Sequence, residues 1–506
     1  MGEIFFSAYS LILSVVAMLC GIHFWKIVND FWNCHSKLIK AVELFPGPRT
    51  IPLLGNALEF ATNPKNAINV MAKFGMEYST YRLWIGSKLF IIITNPKDIE
   101  IVMESPKTSK KAFFYKFMEP VVINSMINGH GPKMRANRKI QEPLINGKCL
   151  PFFMETFNKQ VRRYINDLNS KLNQEEFDIS DESEYCVADM LFETVIGIPG
   201  VGQDNGDLTI PHALETALDI LFQRIVTPWL HPTFIFNLSK CGREFNAALE
   251  LGKDRLQQII NEKKQLYMAL ARGDPGVEEP KPSILDLLIQ NVLETNAMND
   301  QEIISDMIAI IVGFYDAVLG IFSFTILMLA IHPDMQDKVR EEVAFVIGAD
   351  DDVVITNIGK LNYTRMAIQE TIRLFPVGPF LSREITDDLQ IDKYILPKGS
   401  TVAMLPLVTH KSPKYWHEPD KFYPERFLPK NSKNRHPFAY VPFSGGSRSC
   451  PGSKFGMSCL HVMVAHFIRK YQVMTTMSLE DIKLRTHISV RSLNGYKVSI
   501  KNINQL

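Results

Sequence analysis

Apolar and polar positions alternate in three ways along the chain. From Ile4 to Trp25 there is no Asp, Glu, Lys or Arg, and a run of that length can cross a bilayer, which takes roughly 20 apolar residues. Residues 81–94 carry two β-rich runs on either side of Gly86-Ser87, the pattern of a hairpin. From Pro96 to Gln369 apolar residues recur mostly at helical spacing. A second β-rich patch follows from Arg383 to Leu407, with Pro397-Lys398-Gly399 as a turn. The pattern shows no internal repeat. It predicts a mainly α body with small β-sheets, preceded by a single N-terminal transmembrane helix.

One predicted helix differs from the others. Asn299-Asp-Gln-Glu302 reads as a capping box. Apolar residues then run almost unbroken to Ile331, and Pro333 supplies the stop. Such a helix is roughly 48 Å long. Being apolar nearly all round, it is expected to run through the core. Between Met307 and Ile331 the only charged residue is Asp316. A buried carboxylate is costly unless it is hydrogen-bonded, wet or protonated, so Asp316 is either a functional acid or a structural one facing water or an Arg.

The flanks of the first run orient it. Glu3 precedes it, while Lys26, Lys37 and Lys40 follow, which places the rest of the chain on the cytoplasmic side. No small-residue cleavage site follows, and no Arg-rich amphipathic presequence is present. Residues 1–25 are therefore read as an anchor. Residues 26–49, ending in Phe45-Pro46-Gly47-Pro48-Arg49, are read as linker and proline-rich hinge. Residues 50–506 are read as the catalytic body. The net charge of +1 lacks the basic excess of a nucleic-acid binder. Seven scattered cysteines with no Cys-x-x-Cys pair fit free thiols in a reducing compartment.

The chemistry-bearing residues gather late in the chain. In Phe443-Ser-Gly-Gly-Ser-Arg448-Ser-Cys450-Pro-Gly452, two adjacent glycines let a backbone approach a flat ligand. Pro451 and the helical run from Lys454 to Ile468 put Cys450 at a helix N-terminus, where the dipole lowers a thiol pKa. A thiolate so presented can ligate iron. Taken alone the loop is equally an ordinary turn with a free cysteine. Glu370-Thr-Ile-Arg373 puts opposite charges on one helical face, by itself a common salt bridge. Arg426, in Tyr423-Pro-Glu-Arg426-Phe427, could share Glu370.

Together, Glu370-x-x-Arg373, Pro424-Glu-Arg426-Phe427 and Phe443-x-x-Gly446-x-Arg448-x-Cys450-x-Gly452 resemble the cytochrome P450 superfamily. The resemblance runs from the anchor and Pro46-Gly-Pro48 through Pro228-Trp-Leu-His-Pro232 and Ser323-Phe-Thr-Ile-Leu. These segments are similar to the branch of microsomal fatty-acid ω-hydroxylases and many insect enzymes. The resemblance implies the fold of that superfamily, with haem b held by Cys450 as axial ligand. It implies propionate partners at Arg138, Arg383 and Arg448, and haem-loop positions at Phe443, Gly446 and Gly452. It also implies a structural triad of Glu370, Arg373 and Arg426, and the acid of an oxygen-activating pair at Asp316.

The resemblance further implies a monooxygenase of a lipophilic substrate, facing the cytoplasm from the endoplasmic reticulum membrane. Its electrons would come from NADPH–cytochrome P450 reductase, with cytochrome b5 as a further candidate partner. No nucleotide fingerprint follows a strand in this chain, so the electrons need an external donor. Lys430, Lys433, Arg435 and Lys454 flank the haem loop and could meet an acidic partner; a solvated loop is the plainer reading.

The departures lie on the long helix. In Gly313-Phe314-Tyr315-Asp316-Ala317-Val318, Ala317 stands where the family has a Thr that helps deliver protons, and Phe314 where it has a Gly. Ala317 cannot donate a proton, and Thr325 lies about 12 Å further along the axis. Gly313 stands where many members of the branch carry a Glu able to esterify haem, so non-covalent haem is expected. Met134 replaces a Trp four residues before Arg138, with loss of an indole donor. Ala317 keeps two alternatives open: a haem-thiolate isomerase or dehydratase that needs no dioxygen, and a catalytically silent haem- or lipid-binding protein.

Overall fold

The first β-rich runs pair as expected. Strands β1 (Thr80–Ile85) and β2 (Lys88–Ile93) form an antiparallel hairpin whose turn holds Gly86 at φ 59°, in the region that favours glycine. This is a computed structural model. It describes residues 36–503 apart from 52–53, 62–66, 121, 123–124, 148 and 487–488, so the predicted span 4–25 lies outside the described residues. The sheet is completed from the second β-rich patch. Strand β3 (Leu381–Glu384) pairs antiparallel with β4 (Thr401–Met404), and β4 runs parallel to β2, giving the order β1-β2-β4-β3.

The segment assigned to linker and hinge is packed from Val42 onward. Val42 and Phe45 are buried, and Phe45 stacks on Tyr394 at 4.3 Å. The Pro46 carbonyl accepts from the Arg82 amide at 2.8 Å. A Cβ on Gly47 would lie 2.4 Å from the Arg82 carbonyl oxygen, so only glycine lets this turn lie on β1. The body therefore begins before residue 50.

The remainder is mostly helical. Four helices matter for the site: α1 (Gly131–Asn146), α2 (Asp300–Ile331), α3 (Asn362–Leu374) and α4 (Ser453–Lys470). The expected capping box starts α2. Asn299 Oδ1 accepts from the Glu302 amide at 3.0 Å, and Glu302 Oε2 accepts from the Asn299 amide at 3.1 Å. Helix α2 is the only described helix long and apolar enough to cross a membrane, but 72% of its most apolar window is buried inside the protein. It is the core helix, packed against α3 and α4. Ile311, Phe322 and Ile326 are fully buried along it, each worth about 1.5–3 kcal/mol. Phe324 stacks flat on Phe375 at 4.2 Å and meets Tyr496 edge-on at 4.8 Å.

Asp316 finds an Arg partner. A short terminal hairpin, β5 (Leu484–Thr486) with β6 (Val490–Ser492), brings Arg491 against α2. Its guanidinium donates to Asp316 Oδ1 at 2.5 and 3.1 Å. Gly320, one turn on, leaves room for it: a Cβ there would stand 3.2 Å from Arg491 Nη1. Asp316 thus fastens the terminal hairpin to the core helix. Asp316→Ala would leave a nearly buried guanidinium without its acid. We expect a loss of about 2–3 kcal/mol, measured as earlier loss of helical circular dichroism on heating. An unchanged midpoint would show that the pair contributes no stability.

Candidate active site

Helix α2 forms one wall of a cavity of about 330 Å³, and the loop carrying Cys450 forms the opposite one, a size within the range of small-molecule and cofactor sites. Every α2 residue on this wall is apolar or glycine: Ala309, Ile310, Gly313, Phe314, Ala317, Val318 and Ile321. Phe314, at the expected glycine position, packs on Phe455 of α4 at 5.1 Å. Asp316 is not part of the lining; its carboxylate faces Arg491 instead. The helix therefore presents no protic side chain to the cavity.

The Cys450 loop is built by backbone constraints. Gly446 has φ 62°, and a Cβ there would lie 2.1 Å from the Met103 carbonyl oxygen, so no other residue fits. The Cys450 amide donates to the Phe443 carbonyl at 2.8 Å, which closes the loop into a cradle with the thiol open to the cavity. Helix α4 begins at Ser453 with Gly452 as its cap, so Pro451 precedes the helix rather than opening it. Burial pushes the Cys450 thiol up, against the pull of the Gly452 amide, Arg138 and Lys111. The expected lowering by the helix terminus is outweighed. Asn146, at the end of α1, donates to the Pro451 carbonyl and accepts from the Phe455 amide at 3.3 Å.

Behind the loop, Glu370, Arg373 and Arg426 meet as expected, with Glu370 and Arg373 fully buried. Arg373 Nε and Nη2 donate to Glu370 Oε2 and Oε1 at 2.7 and 2.9 Å. Arg426 Nε donates to Oε1 at 2.8 Å, as does the Tyr423 amide at 2.9 Å. Arg373 Nη1 also donates to the His410 carbonyl at 2.8 Å. His410 in turn accepts from the Val441 amide, two residues before Phe443, at 2.9 Å. Burial and Arg373 push His410 down to about 3, so its ring is neutral and its Nε2 is free to accept. His410 relays the triad to the loop, a role no local pattern in the sequence announced.

The expected cations divide. Arg383 and Arg448 are buried and line the cavity. Arg448 donates to the Ser109 and Gly129 carbonyls at 2.8 and 2.7 Å, but its Nη1 is buried with no partner. Arg138 does not line the cavity. It lies on the Cys450 loop, donating to the Ser449 carbonyl at 2.9 Å and to Ser447 at 3.2 Å, and pairs with Glu142 at 3.0 Å. Met134 is buried on α1 and is not part of the lining. A third lining cation is Lys111, which the motifs did not single out. Burial, Arg383 and Arg448 hold its ammonium well below the usual lysine range. No carboxylate lines the cavity among the described residues.

These features fit a flat, dianionic, iron-bearing group. Lys111, Arg383 and the unpartnered Arg448 Nη1 converge without an acid to balance them. A Cβ at Gly313, Gly452 or Gly456 would meet nothing within 4 Å, which leaves open space between α2 and the Cys450 loop. Of the basic residues beside that loop, Lys430, Lys433 and Lys454 are exposed. Arg435 is not a free surface cation: it lies over the Trp416 ring at 4.1 Å and donates to the Arg426 carbonyl at 2.7 Å.

Comparison with known proteins agrees with this class of site. The family model for cytochrome P450 matches residues 45–499. The chain belongs to the cytochrome P450 family, and it is a haem-thiolate monooxygenase in that general sense. It is 28% identical to cytochrome P450 4V2 of Rattus norvegicus over 90% of this chain and 88% of that one. It is 26% identical to cytochrome P450 4c3 of Drosophila melanogaster, over 92% and 90% respectively. The probable cytochrome P450 4aa1 of Drosophila melanogaster is 27% identical over 97% and 95%.

If Lys111 balances an anionic cofactor, Lys111→Leu removes one charge-assisted contact and weakens haem retention about tenfold or more. Transfer of haem to apomyoglobin measures this without turnover, and an unchanged transfer rate would exclude Lys111 from the cofactor site.

Proposed function

We propose that Cys450 is the axial thiolate ligand of a non-covalently bound haem b and that the enzyme inserts one oxygen atom from dioxygen into a C–H bond of a lipophilic substrate. The observation that carries this reading is the cavity itself, with a thiol on one wall, an apolar helix on the other and uncompensated cations at its edge. Bound here, haem would supply the metal that activates dioxygen, with Cys450 as its thiolate donor. The second oxygen atom would leave as water, using two electrons that originate with NADPH and two protons, at least one of them drawn from solvent.

The chain's own residues then have distinct tasks. Gly446 and the Phe443 carbonyl hold the Cys450 loop in shape, and Gly452 leaves room above it. Lys111, Arg383 and Arg448 would hold the propionates, and Arg138 steadies the loop from α1. Glu370, Arg373 and Arg426 fix the backbone behind it. Ile310, Ala317, Val318, Val377 and Leu381 give the substrate an apolar bed and exclude water. Lys430, Lys433 and Lys454 offer a basic surface to an acidic reductase, the NADPH–cytochrome P450 reductase, with cytochrome b5 as a second candidate. Residues 4–25 would anchor the enzyme in the endoplasmic reticulum membrane with the body in the cytoplasm.

Turnover of a lipophilic panel with NADPH and this reductase tests the reading; oxidation that requires the reductase supports it. Product and hydrogen peroxide are measured together, because α2 offers no proton donor above the cavity. Wild type is expected to form peroxide in excess of product, and Ala317→Thr to raise the product formed per NADPH severalfold, given that a positioned proton donor contributes about 10²–10⁴-fold in other systems. Tight coupling in wild type, unchanged by the substitution, would show that the Thr position is immaterial. The same absence of a proton donor favours a second reading, rearrangement or dehydration of a lipid hydroperoxide. In that case product would form from the hydroperoxide without reductant, and lack of such turnover removes it.

Gly313 gives the α2 wall no carboxylate with which to esterify haem. Acidified organic solvent should therefore extract all the haem from the folded enzyme. Haem that stays with the polypeptide would overturn the non-covalent assignment.

A further inference from the structure

A second carboxylate on α2 has no part in the site described above. Asp306 is fully buried, roughly 15 Å along the helix from Asp316. Its Oδ1 accepts from the Met126 amide at 3.0 Å, and its Oδ2 accepts from the Gln141 side-chain amide of α1. Burial raises its carboxyl to about 7, against the pull of those two donors and of Lys133, while Glu302 adds to the rise. An apolar residue at this position would avoid that cost. A carboxylate retained here is explained by what it holds.

What it holds is a wall of the cavity. Met126 and Ile127 both line it. They belong to a turn, Ser125–Gly129, closed by the Asn128 side chain on the Ser125 amide at 3.0 Å and by the Gly129 amide on the Ser125 carbonyl at 2.8 Å. The turn is fastened at two points only a few residues apart. Asp306 grips it at Met126, and Arg448 grips it at the Gly129 carbonyl at 2.7 Å. One fastening comes from the core helix and the other from the cation cluster of the site.

We propose that Asp306 is a positioning residue that fixes the Ser125–Gly129 turn against α2 and thereby sets the size of ligand the cavity admits. This rests on the haem-thiolate reading of the site. The Gln141 contact ties α1, which carries Arg138 and Asn146, to the same carboxylate. Loss of the Asp306 acceptor frees the Met126 amide to turn toward water, and the Met126 and Ile127 side chains move with it. The cavity then tolerates a bulkier ligand on that side.

The test uses the full-length ferric holoenzyme and two probes that bind iron through a pyridine nitrogen, pyridine and 4-phenylpyridine. Dissociation constants are read from difference spectra. In Asp306→Leu the ratio of the two constants is expected to shift about tenfold in favour of the larger probe, the effect of losing one hydrogen bond to a charged acceptor. Hydrogen exchange at the Met126 amide is expected to speed up. Asp306→Asn, which keeps an acceptor toward Met126, is expected to restore the wild-type ratio. If Asp306→Leu does not take up haem, the double variant with Gln141→Leu removes the orphaned amide and is read in the same way. A ratio unchanged within twofold, even with a lowered melting point, overturns the proposal, since purely structural support would lower the melting point alone. Failure of the haem-thiolate reading is seen separately, as wild type that gives no thiolate-type spectrum with carbon monoxide and reductant.

Discussion

The structure around Cys450 depends on one buried carboxylate. Glu370 is fully buried against two guanidinium groups, so the cluster carries an excess of positive charge in the core. Removing a charge from water costs several kcal/mol, and pairing repays this only when the remaining donors are also satisfied. Here they are satisfied by backbone. Arg373 reaches the carbonyls of His410, Pro419 and Lys421, and Arg426 reaches those of His417, Glu418 and Lys421. The segment 410–421 has little regular structure of its own, and these bonds dictate which way its carbonyls point. From there His410 passes the constraint to Val441 and so to the loop. Loss of Glu370 would leave two buried cations unpaired, a defect of about 3–5 kcal/mol by analogy with other broken buried pairs.

The site carries an excess of positive charge as well. The cations that line the cavity meet carbonyls and a hydroxyl, but no carboxylate among the described residues lines it with them. Burial lowers the proton affinity of Lys111, Arg383 and Arg448, Arg383 and Arg448 add to the effect on Lys111, and Arg383 adds to that on Arg448; Arg448 also keeps a buried donor without an acceptor. Each such group costs about 1–3 kcal/mol while it stays unmet. An anionic group held there would supply the missing acceptor. Cofactor affinity and the stability of the surrounding loops are therefore linked, since Arg448 also bonds the carbonyls of Ser109 and Gly129.

What could be seen in the sequence was what local rules dictate. The capping box at Asn299, the stop at Pro333 and the hairpin about Gly86 were legible because each depends on residues a few positions apart. The Cys450 loop and the Glu370 set were legible as motifs. Partners that meet only in three dimensions were not. Arg491 lies far along the chain from Asp316, in a hairpin of three-residue strands that no periodicity marks. Asp306 follows other polar residues in the first turns of a helix, and nothing local marks it as fully buried. The helix-terminus argument for Cys450 counted the dipole and left out burial, which pushes the thiol up. The hinge at Pro46 read as a linker because the close approach of Gly47 to Arg82 is a tertiary contact.

Helix α2 separates two functions, lining the cavity and fastening the segments around it. Its cavity face, at Gly313, Phe314, Ala317 and Val318, is apolar and bears no proton donor. The two carboxylates beyond its first turn point elsewhere, Asp316 to the terminal hairpin and Asp306 to the Ser125–Gly129 turn. Both acids act as fasteners that draw surrounding segments onto a helix held rigid by its own burial. A helix used in this way defines the shape of the cavity closely and leaves its chemistry to the opposite wall. The consequence for catalysis follows from position alone. A side chain that delivers protons to this cavity cannot come from that face of α2, so it would have to come from the opposite wall or the cavity's edge, where Lys111 and Ser444 lie.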